Sequence, residues 1–448
     1  MLVPATIALL TAVTAVASPI DNVKRSSVLS SSSGVIARKI HKCHMPPPPT
    51  VYFPLNFRWG IDQKISTDLV IPGTDKTMNV CFDQGSEDYW VLAPGSKINW
   101  GAERPGAPGP CNATASPVYQ YSASPAATKP EDFYLFDAYG NFNKLVVGYK
   151  AFNDTMTFTS VSGQRSTVPK LRASLVEFVS VLEVDLTGHC GIPDDLLYDA
   201  GILGIAPYRN SSEDGTTNGP HVRQQLLEEG VIKAPVQSMW MDKPPAGVQD
   251  TYTGGAIFGG IDTSKFTGPL VKVPVMKEGY ETGYYVAAPR LSYKGKQLAT
   301  VAEVTRCFID SGTRSDALPI GYYEERDAFL AATGIVVDEK DGETYWPSEC
   351  ENVPADVTVD LKFPGLRNGT SVDVKIPIKN YVRYDPGKKG LCRLNLYLGN
   401  DCTLAAPFAS AAFFAADDER GEVAFAQGGI SERGSAPDQR SIVLRIPH

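Results

Sequence analysis

The sequence of 448 residues lacks a surplus of basic residues: 42 lysines and arginines face 50 aspartates and glutamates, and the formal net charge is −8. Proteins that bind nucleic acids neutralise phosphates with clustered lysine and arginine side chains. Such clusters are absent here, so we expect no nucleic-acid partner. The mild acidity is shared by many exported proteins and identifies no function by itself.

Histidine is scarce, and two motifs of hydrolases are missing. The five histidines are His41, His44, His189, His221 and His448. The sequence contains neither the Gly-x-Ser-x-Gly elbow of serine hydrolases nor the His-Glu-x-x-His helix of zinc proteases. The group His41, Cys43 and His44 has no second pair at ligand spacing, so we expect no metal and no cofactor.

Long hydrophobic runs are also missing beyond the first residues. The apolar run Ile7–Val16 ends in the small-x-small pattern Ala15–Ala17, which is typical of a signal-peptidase site. We interpret 1–17 as a signal peptide and expect a secreted, extracellular protein without a membrane partner; the alternative is a short buried helix.

Cysteines and glycosylation sequons fit this export. The eight cysteines are even in number, which favours an oxidising compartment. Their spacing does not determine the pairing, and Cys81 and Cys307 could equally be buried thiols. The sequons begin at Asn112, Asn153, Asn210 and Asn368.

Residues 18–50 differ in composition from the rest of the chain. They are rich in serine, then basic, and they end near the four prolines Pro46–Pro49. This composition is typical of a linker or prosegment. We expect a basic segment that covers an acidic body before cleavage; the alternative is a solvated tail without function.

The remaining chain has the short alternating runs of a mainly β protein. The clearest predicted strands are Leu69–Ile71 and Lys76–Phe82, and Phe133–Phe136 with Leu145–Tyr149 is a predicted hairpin. The stretch 93–130, rich in proline, glycine and alanine, is predicted to be a surface loop. Two helices, each stopping at a glycine, are predicted over Val222–Glu229 and Tyr322–Thr333.

One short pattern occurs twice. Asp83–Ser86 and Asp310–Thr313 each follow an apolar run and contain Asp, a polar residue, Gly and a hydroxyl. Each copy is followed downstream by two apolar residues and a glycine, at Ile202–Gly204 and Tyr397–Gly399. An aspartate before a glycine is alone an ordinary turn, but two matched halves indicate an internal repeat.

With these motifs the sequence resembles the pepsin-like aspartic proteases of the secreted fungal type, from about Tyr52 to its C-terminus. The ordered motifs are Phe82–Ser86 with Trp90, Asp199–Gly204, Ile257–Asp262 and Asp310–Thr313. The resemblance implies a bilobal fold with pseudo-two-fold related β lobes, here 51–268 and 269–448. It also implies a cleft for a peptide or protein substrate, and we expect a monomer.

The resemblance implies that Asp83 and Asp310 are the catalytic pair. Two close carboxylates cannot both ionise cheaply, so they share one proton at acidic pH. The ionised carboxylate takes a proton from water while the protonated carboxyl donates to the scissile carbonyl, without metal or cofactor. The sequence therefore predicts an aspartic endopeptidase, and it does not decide which aspartate carries the proton.

Further roles follow from the same resemblance. Ser86 and Thr313 are expected to donate hydrogen bonds to the outer carboxylate oxygens. Tyr139 with Gly140 resembles the flap that closes over substrate, and Trp90 its hydrogen-bonding partner; Tyr134 and Tyr149 compete for the flap position. The resemblance also implies the disulfide Cys350–Cys392. Cys111 is expected to close a loop after the first motif, and the sequence does not determine its partner.

The sequence departs from the family pattern at four places. Gln84 stands where the family has a threonine that locks the two aspartate loops together, whereas Ser311 keeps a hydroxyl. Glu87 and Asp88 add negative charge that would raise the pKa values of the pair. Two further departures are Arg314 with Asp316, which line the cleft or pair with each other, and Asn400 after Gly399. These changes leave an alternative: a weakened or inactive homologue that binds peptides or a protein partner.

Overall fold

The computed structural model describes residues 49–58, 64–70, 77–101, 109, 111–139, 144–181, 200–207, 222–277, 283–338, 342–384 and 389–447. Residues from Pro47 onward form one compact unit. The predicted signal peptide, nearly all of the predicted prosegment and the group His41–His44 lie outside the described residues, as do Gly140, Asp199 and the sequon at Asn210.

Strands make up about half of the described chain and far exceed the helices, which confirms the prediction of a mainly β protein. Those of the first half are β1 Val51–Arg58, β2 Ser66–Val70, β3 Thr77–Asp83, β4 Tyr89–Trp100, β5 Cys111–Thr114, β6 Glu131–Tyr139, β7 Lys144–Thr159, β8 Arg165–Val181, β9 Gly201–Gly204, β10 Val236–Met241, β11 Thr251–Phe258 and β12 Ile261–Asp262.

The strands of the second half are shorter on average. They are β13 Thr267–Val273, β14 Tyr284–Ala287, β15 Arg290–Tyr293, β16 Lys296–Gln297, β17 Arg306–Ile309, β18 Asp316–Leu318, β19 Val336–Val337, β20 Thr344–Trp346, β21 Thr358–Pro364, β22 Ser371–Pro377, β23 Val382–Arg383, β24 Cys392–Leu394, β25 Leu396–Leu398, β26 Thr403–Leu404, β27 Ala412–Asp417, β28 Glu422–Gln427 and β29 Ile442–Val443.

Both predicted helices are present, with ends shifted by one or two residues. The α-helices are α1 Val222–Glu228, α2 Glu324–Thr333 and α3 Ala406–Ala409, and the 3-10 turns are Tyr121–Ala123, Cys350–Asn352, Ile378–Tyr381 and Gln439–Ser441. Gly334 ends α2 in the left-handed conformation (φ 79°) and donates its N–H to Leu330 O. None of the described helices has the length and apolar character needed to cross a membrane.

One large sheet runs through both halves of the unit. Its strands follow the order β13, β28, β27, β10, β11, β1, β2, β3, β9, β4, β8, β7 and β6. β10 pairs antiparallel with β27, from Val236 opposite Asp417 to Met239 opposite Phe414. Strands of 269–448 therefore continue the sheet formed by strands of 51–268.

The second half adds three smaller sheets. Their orders are β14-β17-β26-β18-β25, β16-β15-β21-β22 and β19-β20-β24-β23. The first of them contains β17, the strand that leads to Asp310. Both copies of the sequence repeat thus stand at strand ends within sheets.

The predicted surface loop 93–130 is wrong over its first part. β4 runs to Trp100 and pairs with β8, with a register shift between Leu92 and Lys97. The shift spans Pro94 and Gly95, and Gly95 has a positive φ of 83°. A proline–glycine pair that is typical of a turn is here an irregularity inside a long strand.

Three phenylalanines pack behind the end of β3. The ring centroids of Phe53 and Phe82 lie 5.7 Å apart, and those of Phe53 and Phe258 lie 4.9 Å apart. All three side chains are buried. This cluster fixes the strand that presents Asp83 against β1 and β11.

Two disulfides lie in the described part of the second half. Cys350–Cys392 has the pairing that the resemblance implied. Cys307–Cys402 joins β17 to the residue before β26, so the reading of Cys307 as a buried thiol is wrong. Cys111 is also disulfide-bonded, and Cys81 is buried.

Candidate active site

Asp83 is the last residue of β3, where a parallel neighbour crosses behind it. β9 pairs with β3 so that Phe82 stands beside Leu203 and Asp83 beside Gly204. The chain beyond β9 donates from Ile205 N to Asp83 O over 2.7 Å. The backbone of the aspartate is thereby fixed while its side chain points out of the strand end.

Asp310 is the first residue after β17. A parallel neighbour fixes its backbone too, but this neighbour is not the segment that the sequence predicted. β17 pairs in parallel with β26, with Ile309 beside Leu404, and Asp310 N donates to Leu404 O over 2.9 Å. The segment Tyr397–Gly399 instead overlaps β25, which pairs with β18. The prediction of the second crossing strand was therefore wrong.

In the crossing segment that the sequence analysis missed, Ala405 follows Leu404. By strand register Ala405 corresponds to Gly204, the residue that stands beside Asp83 in the first half. A search for apolar-apolar-glycine passes over such a segment. Because Gly399 does not follow the crossing strand, the departure assigned to Asn400 has no bearing on the frame of Asp310.

Two donors from its own loop hold the Asp83 carboxylate. Gly85 N donates to Oδ1 over 2.8 Å, and Ser86 Oγ donates to Oδ2 over 2.5 Å. The loop thus supplies one donor to each oxygen of the Asp83 carboxyl group.

The same two bonds occur at the second carboxyl. Gly312 N donates to Asp310 Oδ1 over 2.9 Å, and Thr313 Oγ1 donates to Oδ2 over 2.5 Å. The sequence repeat is thus also a repeat of hydrogen bonds, atom for atom.

Each loop glycine packs against the opposite aspartate. A Cβ on Gly85 would stand 2.7 Å from Asp310 Cγ, and one on Gly312 would stand 2.5 Å from Asp83 Oδ1. Real Cβ atoms essentially never approach so closely. Only glycine at both positions lets the two carboxyl groups come together.

The two carboxyl groups form one titrating unit. Burial, then the charge of Asp83 and a hydrogen bond with it, raises the pKa of Asp310 to about 8. Asp310 therefore keeps its proton in acid and can act as a proton donor, with the Asp83 carboxyl group beside it.

Of the two residues expected to link the aspartate loops, Ser311 and Gln84, only Ser311 does so with its side chain. Ser311 Oγ accepts the N–H of Gln84 at 3.0 Å and donates to Phe82 O at 2.6 Å. Gln84 is fully buried, and its side-chain Oε1 and Nε2 have no hydrogen-bond partner among the described residues. The amide neither reproduces a threonine lock nor reaches another group, which is costly for a buried polar side chain.

Of the three candidate flap tyrosines, Tyr139 is the one that hydrogen-bonds with Trp90. Trp90 Nε1 donates to Tyr139 OH over 2.9 Å, and their ring centroids are 6.5 Å apart. Tyr134 and Tyr149 are exposed and pack on each other with centroids 5.7 Å apart. Tyr139 ends β6 of the β6–β7 hairpin.

Sequence reasoning missed a carboxyl pair near the tip of this hairpin. Burial, then the charge of Asp137 and a hydrogen bond with it, raises the pKa of Asp88 well above its ordinary value, and Glu87 and Asp83 add to the effect. Tyr139 OH also donates to Asp137 Oδ2 over 3.3 Å. The acids after the first motif therefore tie the aspartate loop to the hairpin; the signal missed was Asp137 two residues before Tyr139.

Asp316 does not line the cleft, so that part of the prediction is wrong. It is fully buried, and its Oδ1 accepts the N–H of Ala405 at 2.6 Å and that of Phe408 at 3.4 Å. Burial raises the pKa of Asp316 to about 7. Its role is to anchor the chain beyond the crossing strand, and Arg314 is left as the charged residue beside the motif.

Comparison with known proteins agrees with this geometry. A family model described as eukaryotic aspartyl protease matches residues 66–428. Pepsin B of Canis lupus familiaris is 31% identical over 44% of this chain and 45% of its own length. Gastricsin of Callithrix jacchus is 32% identical over 31% of this chain and 32% of its own.

A fungal relative matches over a longer span. Candidapepsin-1 of Candida albicans (strain WO-1) is 24% identical over 81% of this chain and 80% of its own length. The chain therefore spans less than half the length of the pepsin B and gastricsin relatives but most of the fungal one.

Proposed function

This chain belongs to the eukaryotic aspartyl protease family, and from that membership we propose that it is a secreted endopeptidase that cuts peptide bonds at acidic pH. The observation that carries the proposal is the pair Asp83 and Asp310. Each carboxyl has matched donors from its own loop, and each is packed against the glycine of the other.

The proposed reaction uses the pair as base and acid. Ionised Asp83 takes a proton from a water molecule, whose oxygen attacks the scissile carbonyl carbon, while protonated Asp310 donates its proton to the carbonyl oxygen. The resulting tetrahedral diol collapses as the C–N bond breaks and the proton held by Asp83 passes to the leaving nitrogen. Asp310 recovers its proton from the collapsing diol, so protons balance over the cycle.

The hairpin β6–β7 supplies the proposed flap. Trp90 holds the hydroxyl of Tyr139 and so sets the position of the hairpin end next to the site. A segment that closes over the peptide would exclude water and align the bond for attack. Tyr139, Gly140 and Trp90 therefore serve as substrate-positioning residues in this proposal.

The proposal includes export of the protein as a zymogen, an inactive precursor. The predicted signal peptide 1–17 would be removed on export, and the basic prosegment 18–50 would be removed on activation. The sequon residues Asn112 and Asn368 are exposed, and Asn153 is half-buried in β7. Relatives described as "Secreted aspartic protease 1" support this localisation.

The decisive experiment is incubation of the purified full chain at about pH 4 with a denatured protein substrate. We expect cleavage and self-shortening, and Asp83→Asn and Asp310→Asn should each reduce the rate by at least about 1,000-fold. Asp356→Asn, at an exposed position, is the matched control and should keep full activity. Cleavage that survives both active-site substitutions would refute the assignment.

The second candidate is a weakened homologue that binds peptides without turning them over. The unpartnered side chain of Gln84 favours it, because a loosened pair can lose on the order of 100-fold in rate. Gln84→Thr separates the two candidates: a large gain in turnover identifies a weakened site. A chain with no turnover at any pH, before and after this substitution, would be a binding protein.

A further inference from the structure

A buried ion pair joins the two halves of the chain. Arg223 lies on α1 of the first half, and its partner Asp418 follows β27 of the second half. Their side chains are only 4% and 9% exposed. Burial of two charges is costly, and apolar side chains of similar size are often as stable in such a place. The pair is therefore a candidate for a role other than stability.

Two further buried side chains complete what we call the Arg223 cluster. Tyr284 OH donates to Asp418 Oδ1 over 2.9 Å and accepts an N–H of Arg223 Nη1 at 3.4 Å. The same hydroxyl accepts an N–H from the Gln237 side chain. Gln237 lies on β10 and Tyr284 on β14, so the cluster takes two side chains from each half.

The cluster holds the segment that fixes the backbone of Asp83. Gln237 Nε2 donates to Ile205 O over 3.0 Å, and Arg223 Nη2 donates to Ala206 O over 3.1 Å. Ile205 in turn donates its N–H to Asp83 O over 2.7 Å. A single residue therefore stands between a side chain of the cluster and the first catalytic aspartate.

A second contact runs from Arg223 to the same strand. Its guanidinium group lies over the ring of Phe258, 5.9 Å from the centroid, which is within the range of a cation–π interaction. Phe258 stacks on Phe82 with centroids 6.0 Å apart, and Asp83 follows Phe82 directly. Arg223 thus contacts the strand end of Asp83 through a backbone route and an aromatic route.

The cluster also reaches the second aspartate. Tyr284 stands opposite Ile309 in the antiparallel pair of β14 and β17, and Asp310 is the next residue. The Tyr284 ring packs edge-on against Phe414 of β27, with centroids 5.1 Å apart. The strands that end at the two catalytic aspartates therefore share one buried polar anchor.

We propose that Arg223, at the centre of this cluster, is a positioning residue that sets the separation of the Asp83 and Asp310 carboxyl groups. This inference rests on the proposed peptidase function and adds a residue that controls the rate and pH range of that site. A misplacement of about 1 Å can reduce a rate on the order of 100-fold, so a rigid contact between the halves matters for catalysis.

The main test removes the ion pair as a unit, by Arg223→Met together with Asp418→Leu. One positive and one negative charge are lost, so the net charge is unchanged and no lone charge is buried. We expect kcat at acidic pH to fall at least about tenfold and KM to change less than about twofold, because these buried side chains do not contact the peptide.

The matched control applies the same exchange to another ion pair. Lys272 and Glu422 join β13 to β28 over 2.8 Å and are partly buried. Lys272→Met together with Glu422→Leu should leave kcat and KM unchanged. An equal fall of kcat in this control would overturn the specific role of Arg223.

The pH profile distinguishes positioning from a purely structural role. Burial, then the charge of Asp83 and a hydrogen bond with it, raises the pKa of Asp310 to about 8, while its two loop donors oppose the rise. Carboxyl groups that move apart interact less, so the high-pH limb of kcat/KM should move down by at least about half a pH unit. Asp88 and Tyr139 also interact with the charge of Asp83, and neither double variant changes them. A loss of stability alone reduces the amount of folded enzyme and leaves the limb in place.

Tyr284→Phe is the milder variant, should the double variant fail to fold. It removes one hydroxyl of the cluster and keeps the ring. The high-pH limb should move in the same direction by a smaller amount. A folded variant of either kind with an unmoved limb and an unchanged kcat would overturn the inference.

Proton binding separates this inference from the proposed function, since it needs no turnover. Potentiometric titration of each chain, compared with its derivative carrying Asp83→Asn and Asp310→Asn, measures the protons held by the pair. We expect the last proton of the pair to leave at lower pH in the Arg223→Met, Asp418→Leu variant than in the parent. This shift without any cleavage would support the positioning role and count against the peptidase alone. Identical proton release in both chains would overturn the positioning role, whether or not the chain cuts peptides.

Discussion

The two aspartate loops carry the same hydrogen bonds on unequal frames. Around Asp310 the frame is closed: the disulfide Cys307–Cys402 ties the strand to its neighbour, and buried Asp316 accepts two backbone N–H groups. Around Asp83 the frame contains the unpartnered amide of Gln84 and the buried acid Asp88, which relies on the hairpin residue Asp137.

This difference shows that the pair is held mainly from the second half. Ser311 makes both hydrogen bonds that cross between the loops at this point, while Gln84 contributes only its backbone N–H. The chemistry needs symmetry only at the carboxyl groups. The segments behind the carboxyl groups can differ between the halves. Here Ser311 of the second half makes the hydrogen bonds that support the Asp83 loop of the first half.

The largest expected effect tests the symmetrical part of the comparison. Gly85→Ala and Gly312→Ala should each lower kcat/KM by more than about 100-fold, because the added Cβ displaces the opposite carboxyl group. Equal losses in both halves would support a symmetrical pair. Gly247→Ala is the control, since its Cβ meets no atom closer than 4.0 Å. Full activity in either loop variant would contradict the close packing.

The next largest effect is the pH dependence of stability caused by Asp316, the buried aspartate of the second half. The pKa of Asp316 is raised from 3.8 to about 7, so the folded chain holds a proton that the unfolded chain releases above about pH 4. The free energy of unfolding should therefore decrease as pH rises from about 4 to 7, with Asp316 contributing about 2–4 kcal/mol.

Asp316→Asn mimics the protonated carboxyl and should remove this part of the pH dependence. Urea unfolding at a series of pH values measures the change, and Asp356→Asn at an exposed site serves as the control. A pH dependence identical to that of the parent chain would show that Asp316 does not titrate with folding.

The smallest effect compares the two residues of the lock. Ser311→Ala leaves the Gln84 N–H and the Phe82 carbonyl without partners and should cost about 2 kcal/mol of unfolding free energy. Gln84→Leu removes an amide that has no partner and should be neutral or stabilise by up to about 1 kcal/mol. Denaturant unfolding measures both, and a larger loss for Gln84→Leu than for Ser311→Ala would reverse the assignment of the stronger half.

Local patterns in the sequence were enough for much of the fold. The alternation before Asp83 predicted β3, and the glycines after α1 and α2 predicted where these helices end. Such signals work because turn and cap geometry depends on a few adjacent residues. The same patterns wrongly predicted a loop at Pro94 and Gly95. There β4 continues past the proline–glycine pair because it pairs with β8 on both sides of it.

The sequence by itself determined the two aspartate motifs, their glycines and their hydroxyl donors, since these lie within four consecutive residues in each half. Only the tertiary structure decided that Leu404–Ala405 crosses behind Asp310 and that the Gln84 side chain finds no partner among the described residues. The physical reason is that strand register and buried contacts join residues far apart in the chain. Which segments pair is settled by packing of the whole sheet, and no short stretch of sequence carries that information.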